Sequence, residues 1–235
     1  KDAATDIDAG FNIKTTDIET VTIKATTSES VDLSLLTMAT ASAVMSLNVT
    51  GATAFTVTAL DGDVTTIDAS NMGEGGSFIQ TGRTATVATT ATGTTGADTF
   101  IHMHAGDVLA AGTGVDTLDV NKSAILGGVN VDLSSTTNQL VSYNGSAVSG
   151  TLTGFDNVDL AGYSGSFGAQ VTGSSTANKV IGTTNADQAS LGNGNDIYVL
   201  DDLTVDTVDA GAGTADALAM VAGVDVAVSL DVGLG

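Results

Sequence analysis

Between residues 93 and 119 an aspartate returns at every ninth position, and few folds tolerate that period. Three nine-residue units run Gly-Thr-Thr-Gly-Ala-Asp-Thr-Phe-Ile (93–101), His-Met-His-Ala-Gly-Asp-Val-Leu-Ala (102–110) and Ala-Gly-Thr-Gly-Val-Asp-Thr-Leu-Asp (111–119). Asp98, Asp107 and Asp116 hold the sixth place of each unit, and Phe100, Leu109 and Leu118 the eighth. A second block, Gly-Thr-Thr-Asn-Ala-Asp-Gln-Ala-Ser (182–190) and Leu-Gly-Asn-Gly-Asn-Asp-Ile-Tyr-Val (191–199), repeats the sixth-place acid at Asp187 and Asp196. A further loop, 210–216, carries Asp216 one residue late. Six residues containing glycine make a tight turn, because glycine adopts positive φ without steric cost. The next three make a short strand with one apolar residue turned inward.

The rest of the chain reads the same way. Acid-x-apolar-x-apolar recurs at Glu19 to Ile23, Asp116 to Val120, Asp156 to Leu160 and Asp216 to Met220. Second strands follow at Val31 to Ser34 and Val131 to Ser134, and Asp225 to Leu230 is expected to act likewise. Shorter alternating runs at 47–49, 55–57 and 64–67 are separated by Gly51, Asp61-Gly62-Asp63 and Gly73 to Gly76, which read as turns. Period-two alternation buries one face and leaves Thr, Ser and Asp on the other. Leu33 to Leu47 departs from it: Leu35, Met38, Ser42 and Met45 stand near helical spacing and predict a short helix or an irregular turn. The chain is 42% hydrophobic but only 4% aromatic, so its core is built from small residues. Such side chains suit a narrow stacked interior, and abundant Gly, Thr and Val favour strands over helices. The expected fold is all-β, a parallel β-roll or β-solenoid. Its divisions are a solenoid segment at 1–92, an acidic block at 93–120, a second solenoid segment at 121–181, a second block at 182–220 and the start of a further unit at 221–235.

Charge narrows the function. With 27 acidic and 6 basic residues the net charge is −21, which excludes electrostatic binding of nucleic acid. There is no cysteine, hence no disulfide and no thiolate-held metal. No apolar run is long enough for a transmembrane helix, so membrane insertion is not expected. The acids are 24 Asp against 3 Glu. Asp is the carboxylate of turns and of oxygen-lined cation loops. Lys1 begins the chain without an apolar signal core, and 229–235 reads as an interrupted strand, so a segment of a longer protein is expected.

The two Asp blocks resemble the RTX, or haemolysin-type, calcium-binding nonapeptide, Gly-Gly-x-Gly-x-Asp followed by x-apolar-x. That resemblance implies a parallel β-roll in which two nonamers complete one coil, so that residues 18 apart stack. Asp98 and Asp116 then share one edge; Asp107 lies on the other, as Asp187 does relative to Asp196. The implied cofactor is Ca²⁺, held by turn carbonyls and carboxylates around Gly96, Asp98, Asp107, Gly112, Gly114, Asp116, Asp187, Gly192, Gly194, Asp196 and Asp216. Two carboxylates about 4 Å apart repel by a few kcal/mol at an effective dielectric of 20, so a stacked column calls for a cation. The paired glycine of the motif is reduced or lost in every unit; 111–116 and 191–196 are the best loops, and Asn185 and Ala189 replace the expected residues in the Asp187 unit.

No nucleophile elbow, zinc-protease helix or phosphate-binding loop is present, and no enzyme activity is expected. His102 and His104 read as an exposed or loosely packed pair, and Arg83, the sole arginine, has no recognisable anion-binding context. Long Thr/Ala/Val/Gly strands between degenerate calcium nonamers look like the surface-layer proteins of Gram-negative bacteria, which are exported by type I secretion. This resemblance implies an extracellular, calcium-ordered structural protein whose partner is itself, in a lattice or filament, with cell-surface polysaccharide as a further partner. An extender segment of an RTX adhesin or biofilm-matrix protein is the alternative, and the calcium roll of a secreted hydrolase is the third reading.

Overall fold

A computed structural model describes residues 18–33, 45–84, 87–123, 127–201 and 204–220. All regular structure among them is β. Of the stretch expected as a short helix or an irregular turn, Leu33 to Leu47, the described ends are strand, Leu33 closing Glu29–Leu33 and Met45 opening Met45–Gly51, while 34–44 and the strand expected within 225–230 lie outside the described residues. The chain divides into two compact units, 1–116 and 117–235, with the boundary inside the first acidic block.

In the first unit, strands alternate between two parallel sheets. One holds Thr20–Ala25, Met45–Gly51, Val64–Met72, Thr90–Thr92 and Val108–Ala110. The other holds Glu29–Leu33, Ala54–Leu60, Ser77–Gln80 and Thr99–His102. Since alternate strands pair, each coil supplies one strand to each sheet, which is the β-roll arrangement. Where the nonamers are regular the coil repeat is 18, as in Thr90 opposite Val108. Upstream it lengthens, with Thr20 opposite Ser46 and Thr66 opposite Thr90.

Alternation places Leu47, Ile67, Ala91 and Leu109 in register, all buried, along one inner wall. The facing wall carries Phe55, Phe78 and Phe100, each fully buried. Their rings stack at 6.4 and 5.3 Å between centroids, with interplanar angles of 30° and 26°. Offset aromatic stacking adds to burial in a core otherwise poor in large side chains.

In the second unit, one parallel sheet contains Thr117–Val120, Asn157–Asp159, Lys179–Ile181, Ile197–Leu200 and Ala217–Met220. A second runs Val129–Asp132, Ala169–Thr172, Gln188–Ser190 and Thr207–Asp209. Here too the nonamer coils repeat at 18, with Lys179 opposite Ile197 and Gln170 opposite Gln188.

One insertion breaks the parallel pattern. Leu140–Tyr143 and Ser146–Ala147 form a hairpin that pairs antiparallel onto Val129–Asp132. Its turn is Asn144-Gly145, with φ of 57° and 69°. Two positive φ angles mark a type I′ turn, for which Asn-Gly is the strongest short sequence signal. Buried Gln139 closes the base of the insertion: its amide donates to Leu133 and Phe155 carbonyls at 2.9 and 2.8 Å and accepts from the Phe155 N–H at 2.8 Å.

Candidate metal centre

The acidic turns stack through their backbones. Each sixth-place Asp turns one carboxylate oxygen onto the N–H of the residue one coil earlier. Phe78 donates to Asp98 at 2.6 Å, Asp98 to Asp116 at 2.8 Å, and Thr89 to Asp107 at 2.8 Å. Ala169 donates to Asp187 at 2.6 Å and Asn178 to Asp196 at 2.8 Å. The same bond continues from Asp187 to Asp206 at 2.9 Å and from Asp196 to Asp216 at 3.0 Å. Asp98 and Asp116 therefore adjoin on one edge as their spacing of 18 implies. Asp206 was missed because its loop has lost the glycines; the signal that remained was Asp206-Thr207-Val208, one residue out of phase with Asp187.

What the second oxygen meets divides the turns. In 93–98 the Thr94 N–H donates to Asp98 Oδ2 at 2.6 Å, and the Thr94 hydroxyl lies 3.0 Å from both Asp98 oxygens. In 182–187 the Thr183 N–H and hydroxyl each donate to Asp187 at 2.7 Å, and the Tyr198 hydroxyl adds a bond at 3.0 Å. A turn of the same make, 173–178, uses an amide: Ser174 N–H donates to Asn178 Oδ1 at 2.6 Å. Hydroxyl residues at the second place thus close these loops on themselves. Asp98 and Asp187, expected as calcium ligands, accept from donors of their own turns, Thr94 and Thr183, as well as from the preceding coil, and burial still raises the Asp98 pKa against the Phe78 and Thr94 bonds.

The 111–116 and 191–196 turns have glycine at the second and fourth places instead. Gly112, Gly114, Gly192 and Gly194 have φ of 107°, 137°, 91° and 129°. A Cβ on Gly192 would lie 2.4 Å from the Ser174 carbonyl oxygen, and one on Gly114 would lie 2.2 Å from that of Gly96. The next coil repeats this approach, since a Cβ on Gly211 or Gly213 would meet the Gly192 or Gly194 carbonyl oxygen at 1.9 or 2.1 Å. With no hydroxyl to fold back, Asp196 Oδ2 is buried without a hydrogen-bond partner. Burial raises the Asp196 pKa, opposed by the Asn178 N–H, and the Asp216 charge raises it further.

Among the described residues no three His, Cys, Asp or Glu side chains converge on one point. A cation at Asp196 would rest on two carboxylates, Asp196 and Asp216, and on carbonyls of the glycine turns. That all-oxygen donor set fits Ca²⁺, which takes six to eight oxygens in flexible geometry.

Asp107 sits elsewhere, and the expectations for Arg83 and His102 change with it. Arg83 forms a two-pronged ion pair with its oxygens at 3.0 and 3.1 Å, so the sole arginine does have an anionic partner. His102 is fully buried, with Nδ1 3.3 Å from Asp107 Oδ2, because it ends a strand facing the core. His104 is half-buried in the turn and accepts the Gly106 N–H at 3.1 Å. The Asp107 carboxylate also accepts the Met103 and His104 N–H groups at 3.1 and 3.0 Å. Burial alone would raise its pKa, but His102, Arg83 and the Thr89 N–H hold it well below the usual carboxylate range. Asp61-Gly62-Asp63 is a turn as expected, with the Asp63 N–H bonded to Asp61 Oδ1 at 2.9 Å.

A carboxylate pair on a sheet face was not anticipated. Asp119 and Asp159 stand directly opposite on neighbouring parallel strands. Burial and then the Asp159 charge raise the Asp119 pKa to about 6. A carboxyl whose folded pKa exceeds its unfolded value destabilises the fold only once it must ionise. Its cost is absent below about pH 4, grows as pH rises, and is complete above about pH 6. Asp119 is half-buried and solvent screens part of this, so we expect Asp119→Asn to be more stable than the parent chain at pH 7 by on the order of 1 kcal/mol, with the difference vanishing near pH 4. Urea unfolding of both proteins across that range, in chelator, checks it; a pH-independent difference would contradict the assignment.

No protein-family model matches the chain, nor does any curated protein or solved structure.

Proposed function

We propose that this chain is a calcium-dependent structural segment of an extracellular bacterial protein that builds a surface layer or a related sheet or filament from its own copies. The observation that carries the reading is the Asp196 turn, where a buried carboxylate oxygen faces a glycine loop with no donor to meet it. A carboxylate in that state is costly unless a cation or a proton joins it. Bound calcium would supply the positive charge and flexible oxygen coordination that this edge lacks. The residues do the rest: Gly192 and Gly194 bring the coils close enough for their carbonyls to share an ion, and Asp196 and Asp216 hold it between successive coils. The Gly112–Asp116 turn has the same glycine geometry and takes the same role.

Net charge supports the coupling of folding to assembly. At −21 the chains repel one another, and divalent cations lower that repulsion as they order the turns. Cell-surface polysaccharide is the further partner this reading places beside the lattice. The proposal is tested by dialysing purified chain from chelator into millimolar calcium and following it by circular dichroism and negative-stain electron microscopy. A sharpened β spectrum with a lattice or fibres is the expected result. Calcium-binding monomers would favour an adhesin extender, and an unchanged spectrum with no bound calcium would overturn the reading.

A further inference from the structure

Arg83 reaches into the turn where Asp107 holds the sixth place of its nonamer. Asp107 is the sixth residue of its nonamer and makes the same bond to the preceding coil, from the Thr89 N–H at 2.8 Å, as the other stacked acids do. The guanidinium fills the space on its far side. It donates to Asp107 Oδ2 at 3.0 Å and Oδ1 at 3.1 Å, to the Ile101 and Val87 carbonyls at 3.3 and 3.1 Å, and to the Thr89 hydroxyl at 2.5 Å. Two carboxylate oxygens, two carbonyls and a hydroxyl are the donor set of a hard cation. The side chains of Arg83 and Asp107 are 3% and 0% exposed, so solvent does not neutralise the pair.

We infer that Arg83 is a resident cation that occupies the Asp107 turn in place of a divalent ion, so that this edge of the first unit forms without metal. A calcium ion does not fit there while the guanidinium holds both carboxylate oxygens. A planar fork suits this position because it binds two oxygens at once and stays charged at every relevant pH. The inference rests on the calcium reading for what Arg83 replaces, though not for the Arg83 contacts themselves. One edge of the first unit thereby stays closed when calcium is scarce, while the glycine turns await the ion.

The test compares wild type, Arg83→Met and the double variant Arg83→Met/Asp107→Asn, each in chelator and in millimolar calcium. Removing one partner of a buried ion pair leaves a charge uncompensated, so in chelator Arg83→Met should melt lower by on the order of 10 °C. In calcium most of that loss should return, and native mass spectrometry should count one more ion per chain than in wild type. The double variant has no charge to neutralise: it should recover stability in chelator and lose the added ion. Arg83→Met melting like wild type in chelator would overturn the inference, as would a loss that calcium does not repair while wild type binds it. A wild-type chain that binds no calcium in the same experiment would instead sink the calcium reading and leave the chelator comparison standing.

Discussion

Asp196→Asn should leave the fold intact in chelator and remove much of its response to calcium. The amide keeps the acceptor that meets the Asn178 N–H at 2.8 Å and replaces a buried oxygen that has no donor. The chain already contains such a turn. Asn178 holds the equivalent place in 173–178, accepting from Ser174 and donating to the Asp156 carbonyl at 2.6 Å. An ion at a hundredfold its dissociation constant adds about 2.7 kcal/mol to stability. For a chain of this length that is a rise in Tm of roughly 5–10 °C per site, which wild type should show and Asp196→Asn should lack at this turn. Thermal melts with and without calcium decide it. A variant that keeps the whole calcium-induced rise would show that the ion is not held here, and one that melts below wild type in chelator would show that the Asp196 carboxylate is already satisfied.

Phe78→Ala should be the most damaging single change in the first unit. Phe78 is fully buried and stacks on both Phe55 and Phe100. Its removal empties the centre of the aromatic column, at a cost of about 3–5 kcal/mol for Phe to Ala. Against a typical total of 5–15 kcal/mol, that is a large share of the stability. The backbone coils on either side are held by parallel ladders and cannot close the gap without breaking register. The loss should be the same in calcium and in chelator, which separates it from the metal-turn variants; a denaturant midpoint that calcium restores would contradict the packing argument.

Much of the fold was legible because its period is local. Alternation along each strand named Leu47, Ile67 and Leu109 as inward residues, and a coil of 18 followed from two nonamers. The Asn144-Gly145 hairpin was also written in the chain as an Asn-Gly turn signal, but it stands outside the parallel period that organises the rest. Asp206 escaped for a different reason: its turn has lost the glycines, and the bond from the Asp187 N–H is what places it in the column. The candidate site was legible as a list of carboxylates and not as a set of ion sites.

By itself the order of residues determined that aspartates recur at a nine-residue period among glycine turns, and the two-nonamer coil that the resemblance implies places those 18 apart on one edge. Only the tertiary structure decided which of those carboxylates are open. Whether an oxygen needs a cation depends on the donors around it, and these come from separate parts of the chain: Thr94 within the turn, Tyr198 from a later strand, and Arg83 from 24 residues before Asp107. A repeat motif records the acid, whereas packing supplies or withholds the hydrogen that satisfies it.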